Sequence, residues 1–399
     1  MTDAYNDLFV PTFYRSGPPL VKGSGMYVFD ADGKKYLDFG TGIAVNALGH
    51  AHPALVKAIV HQAKKLIHTS NLYITPAQIE LAELLIAKSF GKRVFLCNSG
   101  TEAIEACIKF SRKFASQMSK KKFHMLSFFN GFHGRTYGAL SATAQEKFHD
   151  GFGPLLEGFH YAPLNDWEAT LIALDKYDYA AILVEPIQGE GGIHCATTEF
   201  LGFLREYSSA HNIALVFDEI QCGMGRTGTL WNYEQHNIVP DLLASAKPLG
   251  GGLPLGAVIA SEKVAMAISP GNHGTTFGGN PIACALGCEM LKLVSEKGFL
   301  DHVKEMGTYL KEKLIDLSKK YASIKEVRGV GLLLGAEMDK DPKELVAKCK
   351  EEGLLLIGAG SNTIRFMPPL IVSKKDCDSA LEIFERCLGS VGELYTRLA

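Results

Sequence analysis

The stretch Ile213-Ala-Leu-Val-Phe-Asp218-Glu219, followed by Ser245-Ala-Lys247-Pro-Leu-Gly-Gly-Gly-Leu-Pro-Leu-Gly256, decides how the rest of the chain is read. An apolar run of this length predicts a strand in the middle of a sheet, and the acids at its end stand where an α/β sheet opens its ligand crevice. Lys247 lies among glycines and prolines that fix backbone turns and leave little side-chain bulk beside its amine. Alone, such a lysine reads as a solvated charge and such an acid as a loop or cap residue. Their neighbours in the sequence change that reading.

Working outward, short apolar runs at 93–98, 124–130, 180–185, 213–218, 242–246 and 256–260 alternate with helical patterns. Strands separated by helices predict a mostly parallel sheet with helices on both faces, hence an α/β fold. Towards the N-terminus, residues 27–39 alternate and turn at Asp32-Gly33, which predicts a β-hairpin. Towards the C-terminus, helical patterns begin at Pro281 and after Gly298. Strands at 331–338 and 363–367 then mix with helices at 342–352 and 375–387. The expected organisation is a large α/β domain over 52–295, with a smaller α+β domain built from 1–51 and 296–399.

A length of 399 residues exceeds one ordinary core, in keeping with two domains. A formal charge of −2 gives no electrostatic case for nucleic acid or anionic membrane as a partner. No apolar run is long enough to span a bilayer, and Met1-Thr-Asp-Ala-Tyr-Asn-Asp7 lacks the basic and apolar regions of a signal peptide. The expectation is a cytoplasmic protein acting on small molecules. Nine cysteines without a C-x-x-C pair read as reduced core residues, and His50 and His52, in a turn before Pro53, suggest no metal site.

Four further segments carry chemistry. Asn98-Ser-Gly-Thr-Glu-Ala-Ile-Glu105 joins a strand to an amphipathic helix, so Ser99, Gly100 and Thr101 fall at a helix N-terminus suited to phosphate. In Phe132-His-Gly-Arg-Thr136, Phe132 or His133 can stack on a ring, and Arg135 can grip a carboxylate with two hydrogen bonds. Glu185-Pro-Ile-Gln-Gly-Glu190 brings acids to the same crevice, so Glu190 needs a cation, for which Arg365 in Thr363-Ile-Arg365-Phe is the best candidate. Gly223-Met-Gly-Arg-Thr-Gly228 matches a dinucleotide fingerprint, but neither a convincing helix nor a ribose-binding acid follows, and it is discounted. Together, the lysine, the acid and the phosphate cradle suit pyridoxal 5′-phosphate. The lysine would form a Schiff base with its aldehyde, and Asp218 would keep its ring nitrogen protonated.

With Gly274-Thr-Thr-Phe-Gly-Gly-Asn-Pro281 added, these segments resemble the class III pyridoxal-phosphate aminotransferases, a fold-type I family, along nearly the whole chain. The resemblance implies that Lys247 is the Schiff-base lysine and Asp218 the partner of the ring nitrogen. Gln221 would bond the ring hydroxyl, Phe132 would stack on the ring, and Gly100 and Thr101 would bind the phosphate. Thr276 would reach the phosphate of a neighbouring subunit, implying a homodimer with shared sites. Arg365 would take the α-carboxylate of 2-oxoglutarate, with Glu190 as its resting partner. Residues 39–53 and 68–73 look like the acetylornithine branch, with Gly42 where ornithine δ-aminotransferases carry a tyrosine. That branch implies N2-acetylornithine as amine donor, held by Arg135, and N-acetylglutamate 5-semialdehyde and glutamate as products. Succinylornithine, succinyldiaminopimelate, ornithine and 4-aminobutyrate are the nearer alternatives. An aminomutase or a non-catalytic descendant is more remote.

Overall fold

The N-terminal meander is set by one carboxylate. In a computed structural model describing residues 8–13, 15 and 17–396, with side chains through Ser390, β1 (Leu20–Ser24), β2 (Tyr27–Asp30) and β3 (Lys35–Asp38) pair antiparallel. Asp30 accepts hydrogen bonds from the backbone N–H groups of Asp32 and Lys34 and from the Tyr36 hydroxyl, closing the predicted hairpin, while Gly33 takes φ +84°. Residues 1–7, read above for targeting character, lie outside the described residues.

The large sheet contains β4 (Arg93–Cys97), β5 (His124–Phe128), β6 (Phe159–Ala162) and β7 (Tyr179–Val184). After a short hairpin of β8 (Ile187–Gln188) and β9 (His194–Cys195), it continues with β10 (Ala214–Asp218), β11 (Leu242–Ser245) and β12 (Gly256–Ala260). The spatial order is β4-β12-β11-β10-β7-β5-β6, parallel throughout except for β12, which runs antiparallel to both neighbours. Every residue of β7, β10, β11 and β12 is buried, which explains their unbroken apolar sequence. Leu215 and Phe217 join one core with Phe200 and Leu204 of the helix Thr198–Ala210, whereas Ala214 and Val216 join another with Ala103 and Cys107 of the helix Gly100–Ser116.

After the helices Pro281–Val294 and Phe299–Lys320 come β13 (Ile324–Val330), β14 (Leu333–Met338), β15 (Leu354–Leu355), β16 (Ile357–Ala359) and β17 (Thr363–Phe366). Four of these form an antiparallel sheet in the order β13-β14-β17-β16, while β15 pairs in parallel with β3. The sequence reading missed β1, β6, β8, β9, β13, β15 and β16. Phe159-His-Tyr-Ala and Ile324-Lys-Glu-Val-Arg-Gly-Val are edge strands whose polar residues blur the apolar signal, and β15 and β16 are two and three residues long.

Candidate active site

Strand register places the chemistry. Phe217 lies opposite Val184, and Asp218 opposite Ala244, so Glu185, Asp218 and Lys247 leave three adjacent parallel strands at one edge. The loops after β4, β5, β7, β10 and β11 converge there on a cavity of about 460 Å³. Its lining brings together Gly100, Thr101, Phe132, Arg135, Glu190, Asp218, Gln221 and Lys247, eight of the ten residues singled out from sequence.

Asp218 is buried, with one carboxylate oxygen 2.8 Å from His133 Nδ1 and the other accepting the Ile220 N–H at 3.1 Å. His133 is itself only 3% exposed, so two side chains closed to solvent fix each other's orientation. The sequence offered His133 only as an alternative stacking ring. Its pairing with Asp218, 85 positions away, follows from β7 alone separating β5 from β10. Glu185, which the sequence placed merely near the crevice, accepts the N–H groups of Phe132 at 2.7 Å and Gly189 at 3.1 Å. Burial pushes its carboxyl up, His133 opposes the shift and Asp218 adds to it.

Lys247 opens a short 3-10 turn at φ +42°, a left-handed conformation that costs a non-glycine residue about 1–3 kcal/mol. Hydrogen bonds from Leu249 N–H to Ala246 O and from Gly251 N–H to Pro248 O hold the turn at 2.9 and 3.0 Å. Among the described residues its amine makes no hydrogen bond or ion pair. Burial pushes that amine down; Glu190 opposes and Arg365 reinforces the shift, leaving it at about 8.

Arg365 is not in the cavity wall but stands directly behind it, 1% exposed, donating to the Glu190 carboxylate at 2.6 and 3.2 Å. It also donates to the carbonyls of Gly189 and Gly358 and to Gln221 Oε1. Burial alone would raise the Glu190 carboxyl, but the Arg365 guanidinium, with smaller help from Lys247 and Gln221, holds Glu190 below the usual carboxylate range. Arg135 stacks its guanidinium on Phe148, 4.0 Å from the ring centre, at the exposed side of the cavity.

At the opposite end, Ser99 caps the 17-residue helix Gly100–Ser116 by accepting the Glu102 N–H at 3.2 Å. The N–H groups of Gly100 and Thr101, ahead of Glu102, have no partner within the helix, and the dipole there favours an anion. Gly134, at φ +138°, makes a close approach possible: a Cβ there would lie 2.3 Å from Thr101 Oγ1. An anion cradle, a buried carboxylate and an unengaged amine on one cavity fit pyridoxal phosphate. Thr276 is the residue the fold does not bring in. It is exposed and lines a shallow depression with Ser70, Asn71 and Leu72, while Thr275 is engaged by Asn98 at 3.0 Å.

The chain matches the family model described as "Aminotransferase class-III" over residues 15–388. It is 50% identical over 382 residues to the acetylornithine aminotransferase of Caldanaerobacter subterraneus, covering 95% of this chain and 97% of that one. The crystal structure of the ornithine aminotransferase from Toxoplasma gondii ME49 superposes with a TM-score of 0.93 at 32% identity, covering 98% of this chain and 94% of that one. That of the N-acetylornithine aminotransferase from Stenotrophomonas maltophilia K279a gives 0.85 at 35% identity, covering 98% and 99%. The match extends from the N-terminal meander to the last helix and includes every loop of the cavity, and on these grounds the chain belongs to the class-III aminotransferases.

Proposed function

We propose that this enzyme transfers the terminal amino group of N2-acetylornithine to 2-oxoglutarate, yielding N-acetylglutamate 5-semialdehyde and glutamate. The observation that carries the substrate assignment is the 50% identity, across nearly both full lengths, to an acetylornithine aminotransferase. The cofactor is pyridoxal 5′-phosphate, which when bound withdraws electrons from the substrate's amine-bearing carbon so that a proton can leave it.

The residues divide the remaining work. Lys247 anchors the cofactor through its amine and, once released by the incoming substrate amine, takes the proton from the substrate carbon. It must be neutral to do so, and burial that brings it to about 8 supports that role. Asp218, oriented by His133, keeps the ring nitrogen protonated. Gly100 and Thr101 hold the phosphate, Phe132 packs on the ring and Gln221 bonds its hydroxyl. Arg135, at the exposed side, takes the carboxylate of the acetylated amine while Glu190 covers Arg365. A dicarboxylate then displaces Glu190 and binds Arg365 with two hydrogen bonds, so one cavity accepts both substrates in turn.

The assembly belongs to the same proposal: a homodimer in which Thr276 completes the partner's phosphate site. Exposed Leu72 lines the same depression as Thr276, and Tyr73, Ile74 and Phe277, the residues that follow these two in sequence, are exposed as well, apolar side chains of the kind that subunit contacts cover. The proposed units are 1–51 with 296–399, and 52–295, a division supported by the pairing of β3 with β15. The location is proposed to be cytoplasmic; no helix among the described residues is long and apolar enough to cross a membrane.

The test is to follow the cofactor's absorbance on adding N2-acetylornithine without an oxo-acid, then 2-oxoglutarate. Conversion by the first and recovery by the second are expected. Conversion by ornithine or 4-aminobutyrate in preference to the acetylated amine would move the assignment within the family, and turnover without any oxo-acid would point to an aminomutase.

A further inference from the structure

The Glu190–Arg365 pair rests on a second layer that its own residues do not supply. Glu190 sits in the loop 189–193 between β8 and β9, and Arg365 sits on β17. One residue touches the flank of both. Arg328 donates from Nε to the Gly192 carbonyl at 2.7 Å, two residues beyond Glu190, and from Nη2 to Thr363 Oγ1 at 3.0 Å, two residues before Arg365. Its remaining nitrogen is held by Glu337 and, at 2.8 Å, by Glu326. With 11% of its side chain exposed, Arg328 is committed to these contacts.

Strand register explains how it reaches so far. Arg328 on β13 lies opposite Gly335 on β14, and Gly335 lies opposite Arg365 on β17, so the two arginines share one row across three strands. Gly335 keeps that row open: a Cβ there would lie 2.9 Å from Thr363 Cγ2 and 3.0 Å from Ile193 Cγ1. Gly192, at φ +114°, presents its carbonyl from a backbone conformation that side chains disfavour. Two side-chain rungs therefore tie the loop to β17, beside the Arg365 bond to the Gly189 carbonyl and the Gly360 N–H bond to the Glu190 carbonyl at the loop's near end. The inner rung, Glu190 to Arg365, must open when a diacid enters; the outer rung reaches the loop and β17 through a carbonyl and a hydroxyl, while Glu326 and Glu337 hold its arginine in place.

We infer that Arg328 is a positioning residue for substrate discrimination, which holds the 189–193 loop against β17 so that only the Glu190 side chain moves when the pair opens. This deepens the proposed exchange of Glu190 for a dicarboxylate and rests on that reading. Without the outer rung the loop drifts, the closed pair weakens, and opening it for a diacid costs less. Amine substrates then face stronger competition from diacids at Arg365.

The experiment measures the two half-reactions of the holoenzyme separately, and takes the ratio of kcat/KM for 2-oxoglutarate to that for N2-acetylornithine. Arg328→Gln and Thr363→Val should each raise this ratio, by about three- to tenfold for loss of one or two such hydrogen bonds. Glu190→Ala should raise it further, and in that background Arg328→Gln and Thr363→Val should add nothing, because they act through Glu190. A rise that persists undiminished in the Glu190→Ala background, an unchanged ratio, or an equal loss in both half-reactions would overturn the inference. If Arg328→Gln does not fold, Thr363→Val carries the test. A Glu190→Ala variant with an unchanged ratio would instead sink the exchange of Glu190 for the diacid itself.

Discussion

Lys247 offers the sharpest numerical test of the site, because its amine is brought from the ordinary 10.5 to about 8 by burial, against the pull of Glu190 and with the help of Arg365. A shift of that size raises the neutral fraction near pH 7 by about 300-fold, to roughly one amine in ten. The perturbation is Glu190→Gln, which removes the carboxylate that favours the charged amine and should move the midpoint below about 8. The assay is an NMR titration of cofactor-free protein reductively methylated with ¹³C-formaldehyde, the Lys247 signal being assigned by its absence in Lys247→Arg. The same shift makes a linked stability prediction. Between about 8 and 10.5 the unfolded chain holds a proton that the folded chain has released, so this group makes cofactor-free stability rise with pH through that window. A wild-type midpoint near 10.5, or an upward move in Glu190→Gln, would refute the claim that burial and this pair of charges set the amine.

Asp218→Asn keeps the shape beside His133 but removes the charge, so cofactor should remain bound while turnover falls about 100-fold or more; near-normal turnover would displace Asp218 from its role. Gly134→Ala forces a Cβ to 2.3 Å from Thr101 Oγ1 at φ +138°, and cofactor titration should show affinity weakened by about tenfold or more. An unchanged affinity would mean that the loop 131–136 has no part in the cradle. Thr276→Val should loosen cofactor, and mixing it with inactive Lys247→Ala should restore activity by forming mixed dimers that each hold one intact site. No recovery on mixing would argue against sites shared between subunits.

How much of this was legible in the sequence depended on whether a residue's role is local. The central strands were readable because burial on both faces demands unbroken apolar runs, and Asp218, Glu185 and Lys247 announced themselves by following such runs directly. Glu190 and Arg365 could be paired on paper because an acid in a crevice for diacids needs a cation, and the structure joins them with two hydrogen bonds. His133 was harder: its partner lies 85 positions away, and a histidine beside a phenylalanine reads equally well as a ring to stack. Arg328 could not have been found, since in Glu-Val-Arg-Gly it looks like a charge on an edge strand. Only the register that aligns it with Gly335 and Arg365 gives it a target.

The least legible feature is also the most strained. Thr41, Gly42, Ile43 and Ala44 take φ values of 50°, 63°, 65° and 62°, a left-handed turn in which three residues carry side chains. Each such residue costs about 1–2 kcal/mol, so local propensity argues against the turn, and the reason for it has to be tertiary. Its supports are visible: Asp38, itself 2.8 Å from His50 Nε2, accepts the N–H groups of Gly40 and Thr41, and the Thr41 hydroxyl donates to the Met367 carbonyl at 2.9 Å. Met367 N–H in turn donates to the Phe39 carbonyl at 2.8 Å, which fastens the turn to the end of β17, two residues past Arg365. The turn leads directly into Val45, a residue of the cavity wall. A relaxed turn would release both Val45 and the end of β17, so the strain is tolerated where N-terminal and C-terminal segments must together close one side of the site. Gly42, which the resemblance set against a tyrosine of the ornithine branch, thus lies in a backbone conformation that its sequence neighbours would never have suggested.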